Sequence, residues 1–155
     1  MKEKLESRVQ SKTESEIRLG RLGDALKVIK ARLSSEEMGK VRAIVLYGST
    51  ARGEAKKTSD IDLHIDLDPY DDEAFKKIMR ILQAQFAGLD VGFSANKIIE
   101  GGRMAKLITA QRNPDKSAAW EFIYCRSKEE EMELNRILLE KQKQRQAGRS
   151  EGVLS

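Results

Sequence analysis

The stretch from Val41 to Leu67 reads VRAIVLYGSTARGEAKKTSDIDLHIDL, and few folds can accept it. An apolar run, Val41 to Tyr47, stops at Gly48-Ser49; a short basic segment follows, and acidic and apolar residues then alternate from Asp60 onward. Strict alternation marks a strand with two unlike faces. Ile61, Leu63, Ile65 and Leu67 share one face, and Asp60, Asp62, His64 and Asp66 share the other. Carboxylates aligned on one face repel, so the second strand requires something positive beside it.

Side chains two residues apart on a strand are separated by about 6.5–7 Å along it. Two carboxylates reaching inward from such positions can bracket metal ions about 3.5–4 Å apart, the spacing of two-metal phosphoryl chemistry. Magnesium suits such a pair, because it takes hard oxygen ligands and keeps waters and substrate phosphates. The other half of the stretch supplies what a phosphate needs. Gly48 allows a tight turn and a close approach of backbone to ligand. Ser49 offers a hydroxyl and an amide where a short helix is expected to begin, so that exposed N–H groups favour an anion. Arg52, one turn on, can reach a phosphate with its planar fork.

Gly48-Ser49, ten residues, then Asp60-Ile61-Asp62 resembles the signature of the DNA polymerase beta nucleotidyltransferase superfamily, and LYGSTARGEA with TSDIDL is similar to its small prokaryotic members, the minimal nucleotidyltransferases. The resemblance covers about Val41 to Phe93. A glycine-serine pair alone is weak; joined to the DxD at this separation on a strand-turn-strand background it is specific. The resemblance implies an α/β fold with a small mixed sheet flanked by helices. It also implies transfer of a nucleoside monophosphate, AMP from ATP or another triphosphate, onto a hydroxyl. Asp60 and Asp62 would hold two Mg²⁺ ions, with Gly48, Ser49 and Arg52 on the phosphates. A third carboxylate arrives on the next strand in that family. Here Leu89-Asp90-Val91 offers one; read alone, Asp90 is a turn residue, and the resemblance makes it the third metal ligand and the acceptor of the hydroxyl proton.

Around this core, from residue 41 to 93, the chain reads as one domain over residues 1–146. Charged residues make up 35% and aromatic ones 5%, so the core is aliphatic and the surface heavily charged. The net charge of +4 permits contact with nucleic acid without demanding it, because the basic residues are spread along the chain. One cysteine, Cys125, excludes an internal disulfide, fits a reducing cytoplasm, and is read as a small apolar filler. No apolar run approaches a membrane span, and MKEKLESRVQ lacks a signal-peptide core, which points to a cytoplasmic protein without membrane contact.

Met1 to about Leu33 is expected to be helical, with Leu19, Leu22, Leu26, Ile29 and Leu33 at helical spacing and a thinner pattern before them. The first fifteen residues would fray or order against a partner. Ser34-Ser35-Glu36-Glu37 makes a loop or a short helical turn, and Gly39 leads into the first strand. Asp68-Pro69-Tyr70 ends the second strand, and Asp71 or Asp72 caps a helix whose stripe is Phe75, Ile78, Met79, Leu82 and Phe86, ending at Gly88. Leu89 to Phe93 alternates as a third strand. Gly101-Gly102 is a turn, and Met104 to Gln111 reads as helix. Ala118 to Cys125 is ambiguous between strand and helix, and the alternation of Trp120, Phe122 and Tyr124 favours a strand. Lys128 to about Gln146 is a charged helix, and 147–155 is a disordered tail.

Among the remaining polar residues, His64 reads as structural, and Asp66 and Asp68 as solvent-facing near the strand's exit. Glu54 is a surface residue. Lys56 and Lys57 either embrace a triphosphate or are ordinary surface lysines. The resemblance to minimal nucleotidyltransferases implies a protein acceptor such as a HEPN-type ribonuclease toxin, with this chain as the antitoxin. About sixty residues after the third strand leave little room for the extra domains of relatives that modify nucleic acid or antibiotics. The long helices at both ends depart from the compact versions and leave the partner open. Two alternatives stand beside this: a non-catalytic binding module on the same scaffold, and a free-standing transferase for a small molecule or an RNA end. Three acids in place favour an enzyme over the scaffold.

Overall fold

The computed structural model describes residues 13–87, 91–95 and 120–154, with side chains described outside 91–95 and 144–154. Helix α1 (Glu14–Arg32) is followed by α2 (Ser35–Lys40), strands β1 (Val41–Tyr47) and β2 (Ile61–Leu67), and helix α3 (Asp72–Gln85). Strands β3 (Val91–Ala95) and β4 (Trp120–Cys125) and helix α4 (Lys128–Leu154) complete the described chain. The four strands form one sheet in the order β3-β2-β1-β4. β1 runs antiparallel to both β2 and β4, and β2 runs parallel to β3, which makes the sheet mixed, as expected.

The alternation in β1 and β2 explains the layering. Ile44 and Leu46 of β1 join Ile61, Leu63 and Ile65 of β2 in one apolar cluster with Leu22, Ala25 and Ile29 of α1 and Ala74, Ile78 and Leu82 of α3. Ala43 and Val45, on the opposite face, pack with Trp120 and with Leu134 and Leu138 of α4. Two helices therefore cover one face and α4 covers the other, so both faces of the central pair are removed from water. Burial of this aliphatic surface is the main driving force for the fold, worth about 25 cal/mol per Å² of apolar area.

Local signals set the element ends. Thr13 caps α1 by accepting from the Glu16 N–H at 3.2 Å. Ser34 and Glu37 form a reciprocal capping box, the Glu37 N–H reaching Ser34 Oγ at 3.1 Å and the Ser34 N–H reaching Glu37 Oε1 at 3.0 Å. That box selects helix for the Ser34–Glu37 segment, and Gly39 falls inside α2 rather than leading into β1. Of the two candidate caps for α3 it is Asp71, which accepts from the N–H groups of Glu73 and Ala74 at 3.0 and 3.2 Å. The buried stripe of α3 contains Ile78, Leu82 and, just past its end, Phe86, with Ile81 fully engaged where Met79 is only half-buried.

Residues 120–125 form a strand, resolving the ambiguity of that segment. α4 runs on to Leu154, through the residues expected to be a disordered tail. The N-terminal twelve residues, Gly88, Gly101-Gly102 and the helix read over Met104 to Gln111 lie outside the described residues. No described helix is long and apolar enough to cross a membrane.

Candidate active site

β1 delivers the chain to Gly48, whose φ of +77° lies in the left-handed region that glycine adopts without strain. The Arg52 N–H donates to the Gly48 carbonyl at 3.1 Å, Gly53 N–H to the Thr50 carbonyl at 3.2 Å, and Glu54 N–H to the Ser49 carbonyl at 2.9 Å. Gly53 is again left-handed, with φ +75°. The segment is thus a tight turn closed after a single i→i+4 bond, and the short helix expected from Ser49 does not form. A left-handed glycine five residues after the first one stops helical propagation.

The antiparallel register places Tyr47 opposite Asp62. Gly48 therefore lies against the Asp62 side chain: a Cβ at Gly48 would overlap Asp62 Oδ2 and sit 3.3 Å from its Cγ. Only a glycine lets the corner and the acid approach this closely. Burial pushes the Asp62 carboxyl above its ordinary range; the neighbouring Asp60 charge pushes the same way, and Arg52 opposes both. Asp60 is exposed at the mouth of β2, while Asp62 is half-buried behind it. Arg52 also pairs with Glu54, Nε to Oε2 at 3.1 Å.

Of the residues singled out in the sequence, then, Gly48 touches Asp62, and Asp60 and Arg52 lie within electrostatic reach of it. Ser49 follows in the turn, and Lys56 and Lys57 are exposed. Asp90 lies outside the described residues; it immediately precedes β3, in which Val91 pairs with Ile61 and Gly92 with Asp62. Among the described residues no group of three acids, histidines or cysteines comes together as a metal site. The pair that is described has the character a divalent cation needs. Burial and the like charge of Asp60 both disfavour the Asp62 carboxylate, and a cation bound beside these acids would relieve both penalties.

Asp66 departs from expectation. It is fully buried, with both carboxylate oxygens 2.9 Å from Arg42 Nη2. The reason is that α4 covers the face that Asp66 occupies, so this acid is structural and its positive partner comes from β1. Asp68 beyond it remains exposed, as expected. Burial drives the Asp66 carboxyl upward and Arg42 draws it back. His64 on the same face is completely buried, and burial, with Arg42 nearby, lowers it to about 4. It is neutral near pH 7, consistent with the structural reading. Cys125 is half-buried, and burial raises its thiol, which leaves little thiolate for chemistry.

Two residues near the corner escaped the sequence reading. Thr50 is buried immediately after Ser49, and Arg18 of α1 is fully buried beneath it. The signal for Arg18 lies in its position: residues 18, 22, 25 and 29 share the inward stripe of α1, and an arginine there occupies a core position.

The architecture and the corner-acid contact together define a class. The family model for the nucleotidyltransferase domain matches residues 26–149, well over half of the chain. The chain belongs to that family, and the protein is a nucleotidyltransferase. A search of curated proteins finds no match. Among solved structures, a toxin-antitoxin crystallised with AMP-PNP is 16% identical, with a TM-score of 0.49 over 86% of this chain and 98% of that one. The toxin-antitoxin MntA-HpeT, in mutant form, is 16% identical with a TM-score of 0.48 over 84% and 98%. A protein assigned to the nucleotidyltransferases from Sulfolobus solfataricus is 19% identical with a TM-score of 0.42 over 77% and 93%. Likeness at this level leaves the chemistry to the family and to the residues themselves.

Proposed function

We propose that the protein transfers AMP from ATP onto a hydroxyl group of a partner protein, releasing pyrophosphate. The observation that carries this reading is the approach of Gly48 to Asp62, which joins the phosphate-binding corner to the first pair of acids. Asp60 and Asp62 are the metal ligands, with Asp90 as the third. Two bound Mg²⁺ ions would supply charge neutralisation on the triphosphate and a lowered pKa for the attacking hydroxyl. Gly48 and Ser49 hold the phosphates, and Arg52 assists from the same turn. The acceptor oxygen forms a bond to the α-phosphorus as the bond to the bridging oxygen breaks. Pyrophosphate leaves with that electron pair, and the hydroxyl proton passes to Asp90. Positioning and charge neutralisation supply most of the rate.

The acceptor class rests on the resemblance to the minimal nucleotidyltransferases. The corner and acids sit in one small domain, read as residues 1–146 acting in the cytoplasm. A HEPN-type ribonuclease toxin is the partner this reading assigns, and the chain would be its antitoxin. Incubation with α-labelled ATP, Mg²⁺ and the co-purified partner tests it. Label on the partner that disappears with Asp60→Asn is the expected result. Label on RNA or on a small molecule moves the acceptor elsewhere, and no label with any triphosphate leaves only a binding scaffold.

A further inference from the structure

The loop between the corner and the acids is held from behind. Arg18 enters it from α1, fully buried, and its guanidinium spends its donors on both ends of the loop. Nη1 donates to Thr50 Oγ1 at 3.2 Å and to the Asp60 carbonyl at 3.5 Å. Nη2 donates to the Lys56 and Lys57 carbonyls at 2.9 and 3.4 Å. Glu14, one turn earlier, fixes the guanidinium by accepting from Nε at 3.3 Å. Ser15 adds a second tie, its Oγ accepting from the Ala55 N–H at 3.0 Å.

We propose that Arg18 is the positioning residue of this site: it ties the Gly48–Thr50 corner to the backbone entering β2, and so sets how the two halves meet a nucleoside triphosphate. The inference rests on the nucleotidyl-transfer reading above. Its physical basis is the shape of the donor. A guanidinium presents five N–H groups in a rigid fork, whereas a lysine ammonium offers three on a flexible stem. Four acceptors drawn from residues 50, 56, 57 and 60 need the fork to be satisfied together. Without it, the turn keeps its own backbone bonds over residues 48–54 and the Lys56 N–H keeps Ser59 Oγ at 2.9 Å, but the bridge from Thr50 to the carbonyls of Lys56, Lys57 and Asp60 is lost. Arg18 does not reach the phosphates; it acts through the residues that do.

The test compares wild type with Arg18→Met and Arg18→Lys by amide hydrogen exchange and by calorimetric titration with MgATP. In Arg18→Met the amides of residues 50–59 should exchange at least about ten-fold faster, while those of β1 and β2 keep their protection. The Kd for MgATP should weaken by about ten-fold, as expected when binding groups are held loosely. Arg18→Lys should recover part of both effects, and it carries the comparison alone if Arg18→Met does not fold. Unchanged exchange over 50–59, or a lowered melting temperature with an unchanged Kd, overturns the positioning role. A wild type that binds no MgATP overturns the reading of the site as well, which separates the two failures.

Discussion

Replacing Gly48 by alanine tests the corner-acid contact directly, because Gly53→Ala supplies its own control. Both glycines hold a left-handed φ, +77° and +75°. An L-residue there costs roughly 1–2 kcal/mol in either place. The surroundings differ. A Cβ at Gly53 meets nothing within 4 Å, whereas at Gly48 it overlaps the Asp62 carboxylate. To restore ordinary contact the carboxylate must retreat by about 1 Å. A misplacement of that size in a catalytic group costs about 100-fold in rate. Gly53→Ala should therefore lose roughly 1–2 kcal/mol in urea denaturation and keep near wild-type transfer of label from ATP. Gly48→Ala should lose at least as much stability and in addition about 100-fold in kcat/KM. Measured well below both melting temperatures, equal activity in the two variants would refute the reasoning, since backbone strain alone would then explain everything.

His64 gives a pH signature in the metal-free protein. Its folded pKa of about 4 lies below its unfolded value, so the unfolded chain takes up the proton first as pH falls. The stabilisation is complete above pH 6.5 and is lost between there and pH 4, by about 3 kcal/mol. Arg42 disfavours the imidazolium further, while the raised carboxyls of Asp62 and Asp66 act in the opposite sense at the acid end. Subtracting the stability curve of His64→Gln removes their share; a difference that stays flat over this window would contradict the assignment. The Arg42–Asp66 pair is testable by a double-mutant cycle. Arg42→Met leaves the Asp66 carboxylate buried without its cation and should cost about 3–5 kcal/mol at pH 7, whereas Arg42→Met with Asp66→Leu should recover most of it. A single-variant loss below about 1 kcal/mol would mean that Asp66 is hydrated after all.

How much of this was legible before the fold was known depends on whether a residue's partner is near in sequence. β1 and β2 announce themselves, because an apolar run and a period-two alternation are local properties of the chain. The corner is legible in Gly48-Ser49 and the pair of acids in Asp60-Ile61-Asp62, because both are contiguous in the chain. The short helix after Ser49 did not follow, because the left-handed turn at Gly53 is set by the loop's own hydrogen bonds and not by composition. Asp66 departs from expectation for a different reason. On the strand it is one more residue of the acidic face, and nothing in β2 says that α4, more than sixty residues later, will cover it. The alternation reports which side chains share a face but is silent on whether that face meets water.

Arg18 is the sharpest instance. The thin apolar pattern at the start of α1 reads as a weak helix end, yet its first turns are held by hydrogen bonds to a loop some forty residues on. Apolar periodicity detects helices that dock through a greasy stripe, and α1 docks its N-terminal end through polar groups instead. A charged residue on an otherwise apolar stripe is the sign of such docking, since an arginine is almost never fully buried unless its donors are matched. Arg18 satisfies that requirement with acceptors from both ends of the loop that spans the corner and the acids. The same reasoning ties fold to function here: the helix that closes one face of the sheet also fixes the distance across the site on the other side of the loop, so the packing of α1 and the geometry presented to a triphosphate are one problem rather than two.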